Sequence, residues 1–204
     1  MPFKFLFFIF LGNIFICRSA LAEDCVIFLH GLARTSNSMN QIEAAFKEEG
    51  YLTANIDYPS RQHPIEELSS MAIEDGIERC GDADILHFIT HSLGGILVRY
   101  YLEENEIENL GRVVMLAPPN QGSEVVDVWR NVPGFEALNG PAGMQLGTDE
   151  DSIPHQLGPV EFELGIIAGA NTFNPILSQS LPPWFFLLTL CRHRDWAGTV
   201  TGLD

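Results

Sequence analysis

This sequence predicts a three-layer α/β fold, a parallel sheet between helices, and three observations predict it. Segments that read as strands, the first an unbroken apolar run, alternate four times with segments whose apolar residues recur at helical spacing. The connections between them are short and punctuated by Gly and Pro. Hydrophobic residues are 46 % of the 204 and charged residues 19 %, a composition that fills a core and excludes a disordered or coiled-coil chain.

Residues 1–22 stand apart and read as a signal peptide: Lys4, an apolar stretch over 5–17, then the small-x-small pattern Ala20-Leu21-Ala22. Thirteen mostly apolar residues fall short of a membrane span, so the expectation is cleavage near Ala22 and export to the periplasm or the medium, without a stable membrane anchor. The 182 residues that follow suffice for one domain with its own core.

The first expected strand is 25–30, apolar throughout as in a strand buried on both faces, and Gly31 ends it. Met39, Ile42, Ala45 and Phe46 then fall on one face of a helix, with Ser38 as its cap and Gly50 as its stop. A second strand over 51–58 is closed by Pro59. The next helix has Pro64 in its first turn and Ile65, Leu68, Ala72 and Cys80 on one face. A strand over 84–90, a helix over 93–104 and a strand over 112–116 complete the regular alternation, and 123–130 suggests a short helix. Residues 131–160, rich in Gly, Pro and acids, are expected to form a long loop that serves as a substrate-facing lip or lid. A fifth strand is expected over 163–169, and the text changes character in an atypical tail over 183–204.

Loss of Lys4 and Arg18 with the leader leaves nine cations against 27 acids, a net charge of −18. Such a surface repels phosphate backbones and argues against a nucleic-acid partner. Three cysteines follow the leader, and export makes a Cys25–Cys80 disulfide plausible; the alternative is that Cys25 is a small buried residue opening its strand. No Cys or His spacing resembles a zinc site, so no metal is expected.

The chemistry concentrates in Thr90-His91-Ser92-Leu93-Gly94-Gly95, where an expected strand meets an expected helix. A serine there projects its hydroxyl from a tight turn beside a helix N-terminus, and small residues two positions away on either side let strand and helix approach. Gly94 satisfies the demand on one side, and Thr90 stands where the pattern G-x-S-x-G has its first Gly. The plainer reading of Ser92 is a helix cap. His30-Gly31-Leu32 follows the first strand; acyl transfer needs two amide donors aimed at a developing oxyanion, and Leu32 and Leu93 are placed to supply them.

Together, 28–32, 90–95 and the segment Leu116-Ala-Pro-Pro-Asn-Gln-Gly-Ser123 resemble the α/β-hydrolase superfamily, specifically its secreted triacylglycerol lipase and esterase branch, over about 25–182. The resemblance implies a carboxylic-ester hydrolase with a Ser…Asp…His triad, Ser92 as nucleophile, an acyl-enzyme and no cofactor. It implies an acid after the strand near 163–169 and a histidine after one further strand. Only 35 residues follow Gly169, and neither motif is recognisable in them, so the expected fold is incomplete at its C-terminal end through truncation or a frameshift near Pro183. His193 and Asp195 are weak candidates for base and acid, being two residues apart on one segment. His155 is a further weak candidate in the lip, whereas His30, His91, Gly31, Gly94 and Gly95 read as structural parts of the motifs. Asp127 reads as an exposed helix residue. The expected substrate is an uncharged acyl ester or lipid, because the acidic surface disfavours anions. The alternatives are a catalytically impaired pseudo-hydrolase that only binds acyl groups or a partner, and amide rather than ester hydrolysis on the same fold.

Overall fold

The computed structural model describes residues 23–168. The leader assigned to 1–22 and the segment 169–204, with Cys191, His193 and Asp195, lie outside the described residues. Five strands, β1 (Asp24–Leu29), β2 (Leu52–Ile56), β3 (Ile85–His91), β4 (Leu110–Leu116) and β5 (Leu164–Ile167), form one sheet in the order β2-β1-β3-β4-β5. Every neighbouring pair is parallel. Among the described residues six α-helices accompany them: α1 (Asn40–Glu48), α2 (Ile65–Cys80), α3 (Leu93–Glu104), α4 (Glu124–Trp129), α5 (Phe135–Met144) and α6 (Ile153–Gln156).

The unbroken apolar text of β1 follows from burial on both faces. Val26 and Phe28 pack with Met39 and Ile89 under the half-buried Ile42 and Phe46 of α1. Cys25, Ile27 and Leu29 point the other way, into a larger core with Ile65, Leu68 and Ile73 of α2 and Ile96 and Leu97 of α3. The alternation of side chains across the strand divides the core into these two layers. α2 lies close to β1, since a Cβ on Gly76 would stand 2.6 Å from Ile27 Cγ2. A disulfide joins Cys25 at the start of β1 to Cys80 at the end of α2, with the Cα atoms 5.8 Å apart.

Several elements depart from expectation. A 3-10 turn, Ser36–Met39, precedes α1, and Ser38 does not cap the helix: its hydroxyl donates to the Thr35 carbonyl (2.8 Å). Pro64 sits one residue before α2, in extended backbone, and its carbonyl accepts from the Leu68 amide. The expected loop over 131–160 instead contains α5 and α6. Gly134, at φ 92, starts α5, and Gly140-Pro141 kinks that helix rather than ending it. Pro154 opens α6 in the first turn, where its missing N–H costs nothing. Among the described residues no helix is long and apolar enough to cross a membrane.

Candidate active site

In a parallel sheet, loops that leave adjacent strands on opposite sides open a crevice where the strand order reverses. Here that point lies between β1 and β3. The loop after β1 carries His30, Gly31 and Leu32, while Ser92 is the single residue between the end of β3 and the start of α3. The two motifs therefore meet at the crevice although some sixty residues separate them.

Ser92 has φ 51 and ψ −117. Such backbone costs a non-glycine residue about 1–3 kcal/mol and persists only where its surroundings over-determine it. Its N–H donates to the Leu116 carbonyl at the end of β4 (2.9 Å), and its carbonyl accepts from the Gly95 N–H (3.0 Å). Gly94 is pressed against β1: a Cβ there would lie 2.8 Å from the Leu29 carbonyl oxygen and 2.9 Å from Leu29 Cβ. Thr90, in the place of the first glycine, is wholly buried in β3, and its hydroxyl has no hydrogen-bond partner among the described residues. Ala33 (φ 54) and Ala117 (φ 46), in the turns after β1 and β4, share the strained backbone, so the strain of the described residues gathers along this edge.

The loop after β1 touches the turn at Ser92. A Cβ on Gly31 would stand 2.7 Å from His91 Nδ1 and 3.2 Å from Ser92 Cβ, which leaves room only for glycine. His30 holds the loop from behind, fully buried. Its Nδ1 is 2.9 Å from the Gly31 carbonyl, which can only accept, and its Nε2 faces the Tyr58 amide at 3.3 Å, which can only donate. The ring is therefore neutral with its proton on Nδ1. Burial holds His30 below the ordinary histidine range, outweighing the opposite pull of the Gly31 carbonyl and of Asp57. The Tyr58 ring stacks on it at 4.0 Å, and the Tyr58 hydroxyl donates to the His30 carbonyl. Ser60 completes the brace, its buried hydroxyl accepting from the Ala33 N–H at 3.1 Å.

Among the described residues neither the Leu32 nor the Leu93 amide donates to a backbone carbonyl outside regular structure. Leu93 is the first residue of α3, whose N–H lacks an acceptor within the helix and carries the positive end of the helix dipole. Gly31, the residue before Leu32, lies against Ser92, and amide donors aimed at a carbonyl oxygen can hold negative charge on it. The helices read as loop in the sequence border this region: a Cβ on Gly143 in α5 would lie 3.0 Å from Leu32 Cδ2. The kink at Gly140 (φ 69) sits on the backbone of Arg61, where a Cβ would fall 2.0 Å from the carbonyl oxygen. Asp127, expected to be merely exposed, accepts from the Thr148 amide and hydroxyl and pairs with Arg130, tying α4 to the turn after α5.

No described histidine bonds to Ser92. His63 pairs with Glu67 (2.7 Å), and His87 lies 3.5 Å from Asp24 and accepts from the Arg112 amide. His155 faces the Gln121 carbonyl at 3.2 Å. His91 flanks the serine; burial, then the nearby charge of Arg34, holds it below the usual histidine range. His193 and Asp195 lie outside the described residues. Among the described residues no group of His, Cys, Asp or Glu is arranged to hold a metal ion. Sequence reasoning missed Tyr58 and Ser60, whose contacts to the first loop span 28 and 27 residues and follow no spacing rule.

No family model matches the chain, and no curated protein matches it. Solved structures do. The mature form of a Bacillus licheniformis lipase is 22 % identical, with a TM-score of 0.60 over 75 % of this chain and 68 % of that one. In its propeptide form the same lipase is covered over 37 % of its length. The structures of LipS and LipT, two metagenome-derived lipolytic enzymes, include a chain 15 % identical that matches over 71 % of both chains, with a TM-score of 0.54. The monoacylglycerol lipase of Paleococcus ferrophilus is 18 % identical, with a TM-score of 0.51 over 70 % of this chain and 71 % of that one. The parallel five-stranded sheet, its strand order and these likenesses agree: the chain has the α/β-hydrolase fold.

Proposed function

We propose that the chain is an exported carboxylic-ester hydrolase of the lipase and esterase kind, acting through Ser92. One observation carries this reading. A serine is held at φ 51 on the turn between β3 and α3, with the Gly31 loop packed against it at the point where the strand order reverses. A residue that served only to cap α3 would take relaxed extended backbone and bond the helix with its side chain; Ser92 does neither.

In the proposed reaction Ser92 Oγ attacks the ester carbonyl carbon, and the carbonyl oxygen takes up negative charge facing the Leu32 and Leu93 amides. The tetrahedral adduct collapses, the C–O bond to the alcohol breaks, and an acyl ester remains on Ser92. Water then attacks that ester, releasing the carboxylate and restoring the serine. A histidine must take the Ser92 proton and pass it to the leaving alcohol. Four of the six histidines (His30, His63, His87 and His155) are engaged with other groups and His91 is part of the turn itself, which makes His193, with Asp195, the first pair to test. α5 forms one wall beside Leu32, the part a lip would play, and the Cys25–Cys80 disulfide suits an oxidising compartment.

The test is hydrolysis of p-nitrophenyl butyrate by residues 23–204 beside Ser92→Ala, with labelling of the serine by a fluorophosphonate probe. Expected are turnover and labelling that both vanish in the variant, a loss of about 10³-fold or more. A folded protein that neither turns over nor reacts with the probe would overturn the reading.

A further inference from the structure

The distribution of cations points away from the neutral substrate that net charge suggests. Seven lysines and arginines fall among the described residues, in a chain with 27 acids to pair with. Lys47, Arg79, Arg112 and Arg130 are in ion pairs with carboxylates. Arg99 is buried and donates to the Asn120 side chain and the Gly158 carbonyl. The two others, Arg34 and Arg61, are exposed, and no ion pair or side-chain hydrogen bond to a described residue engages either guanidinium.

Both flank the loop that faces Ser92. The Arg34 amide donates to the Gly31 carbonyl at 3.2 Å, which puts Arg34 one turn from the contact of Gly31 with Ser92. Its charge is felt at His91, the residue before Ser92. Arg61 follows Ser60, whose hydroxyl holds the Ala33 amide, and the Arg61 backbone is the seat of the α5 kink. In so acidic a chain a guanidinium that pairs with none of the described acids forgoes an easily found partner. Arg34 lies in the loop itself and Arg61 follows the serine that braces it, so the two bring positive charge to its borders. The field of remote acids is screened beyond about 8 Å at physiological salt, so the charges at the loop, Arg34 and Arg61 against Asp57 beside His30, decide what binds there. A guanidinium presents a planar fork of donors matched to carboxylate and phosphate oxygens.

We propose that Arg34 and Arg61 form an anion subsite, so that the preferred ester carries a phosphate on its alcohol or a carboxylate on its acyl chain. This inference rests on the reading of Ser92 as the nucleophile and names the substrate class of that same site. The two sources share one chemistry, charged oxygens accepting from guanidinium donors, and differ in the side of the scissile bond on which they sit.

The experiment compares matched esters with residues 23–204: 1-butyrylglycerol against 1-butyrylglycerol 3-phosphate, and p-nitrophenyl butyrate against the p-nitrophenyl hemiester of succinate. The readout is the ratio of kcat/KM, anionic over neutral, in the wild type, Arg34→Gln, Arg61→Gln and the double variant. Arg79→Gln, on the remote end of α2, controls for the loss of one charge. One pair is expected to show a preference of tenfold or more for the anionic ester. That preference should collapse in the double variant, persist in Arg79→Gln, and fall as salt rises. The phosphate pair responding places the anion on the alcohol; the succinate pair places it on the acyl chain. A ratio unchanged in the double variant, or no anionic preference in either pair, overturns the proposal while leaving Ser92 in place. Calorimetric binding of 1-butyrylglycerol 3-phosphate and of succinate to the same proteins separates the two readings. Binding lost with the arginines but without hydrolysis of any ester would sink the nucleophile and keep the subsite.

Discussion

Gly94 shows how little freedom one residue has at the Ser92 turn. Its missing Cβ is what allows α3 to lie against the Leu29 and His30 carbonyls, and backbone atoms at 2.8–3.0 Å have nowhere to retreat. On the other side of Ser92 the same pressure is absent, because Thr90 lies within β3, between Leu29 and Met115 in register, and its side chain enters the core. That difference explains why Thr is tolerated in place of the first glycine of the motif. His30 is the residue with the clearest solution signature. Burial depresses its folded pKa, so the unfolded chain binds the proton more readily. Stability from this group is fully present above its ordinary value of 6.5 and is lost as pH falls from there toward the lowered folded value. Urea unfolding of the wild type and His30→Gln across pH 5–8 is expected to show the wild type ahead at pH 8 and the gap narrowing below pH 6.5. A gap independent of pH would mean that the ring is not held neutral.

At the scale of elements, the Cys25–Cys80 bond ties the first strand to the end of the helix that follows the second strand. It spans 55 residues, which contain α1, β2 and α2. Chain-entropy arguments give a closed loop of that length about 4 kcal/mol, less any strain in the folded state. Replacing both cysteines with alanine is expected to lower the unfolding free energy by about 2–4 kcal/mol in denaturant titrations, and an unchanged midpoint would show that the bond does not form in solution. The sheet and its first helices were legible because β1 is buried on both faces and reads as an unbroken apolar run, and the helices carry apolar residues at helical spacing; α3 runs over Leu93–Glu104, the span that the periodicity predicts. α5 was not legible, because Gly140 and Pro141 inside it carry the signature of a turn. Only the Phe135, Leu138 and Ala142 spacing after Pro133-Gly134 hinted at a helix. The Ser92 turn and the Gly31 loop could be read as local motifs. The brace from Tyr58 and Ser60 could not, since it depends on β2 lying beside β1, a tertiary pairing with no local pattern.

For the whole molecule the dominant feature is charge: −16 over the 204 residues, and a sequence pI near 4.6. Folding brings carboxylates closer together than they are in the unfolded chain, so the compact state bears more self-repulsion at neutral pH. Among the described residues only a minority of the acids are neutralised in ion pairs such as Glu43–Lys47 and Asp75–Arg79, and these are surface pairs of small individual worth. Salt that shortens the Debye length from about 30 Å at 0.01 M to about 8 Å at 0.15 M removes the long-range part of the repulsion and leaves the core untouched. Raising NaCl over that range at pH 7.5 is therefore expected to raise the melting midpoint, by about 2–4 °C if the relief amounts to about 1 kcal/mol. The sign follows from net charge alone, so it should survive in Arg34→Gln and Arg61→Gln and grow slightly, since each variant adds to the net negative charge. A midpoint that falls with salt would mean that short-range ion pairs outweigh the global repulsion, and that acidity serves this fold through specific contacts instead of as a diffuse solvating coat.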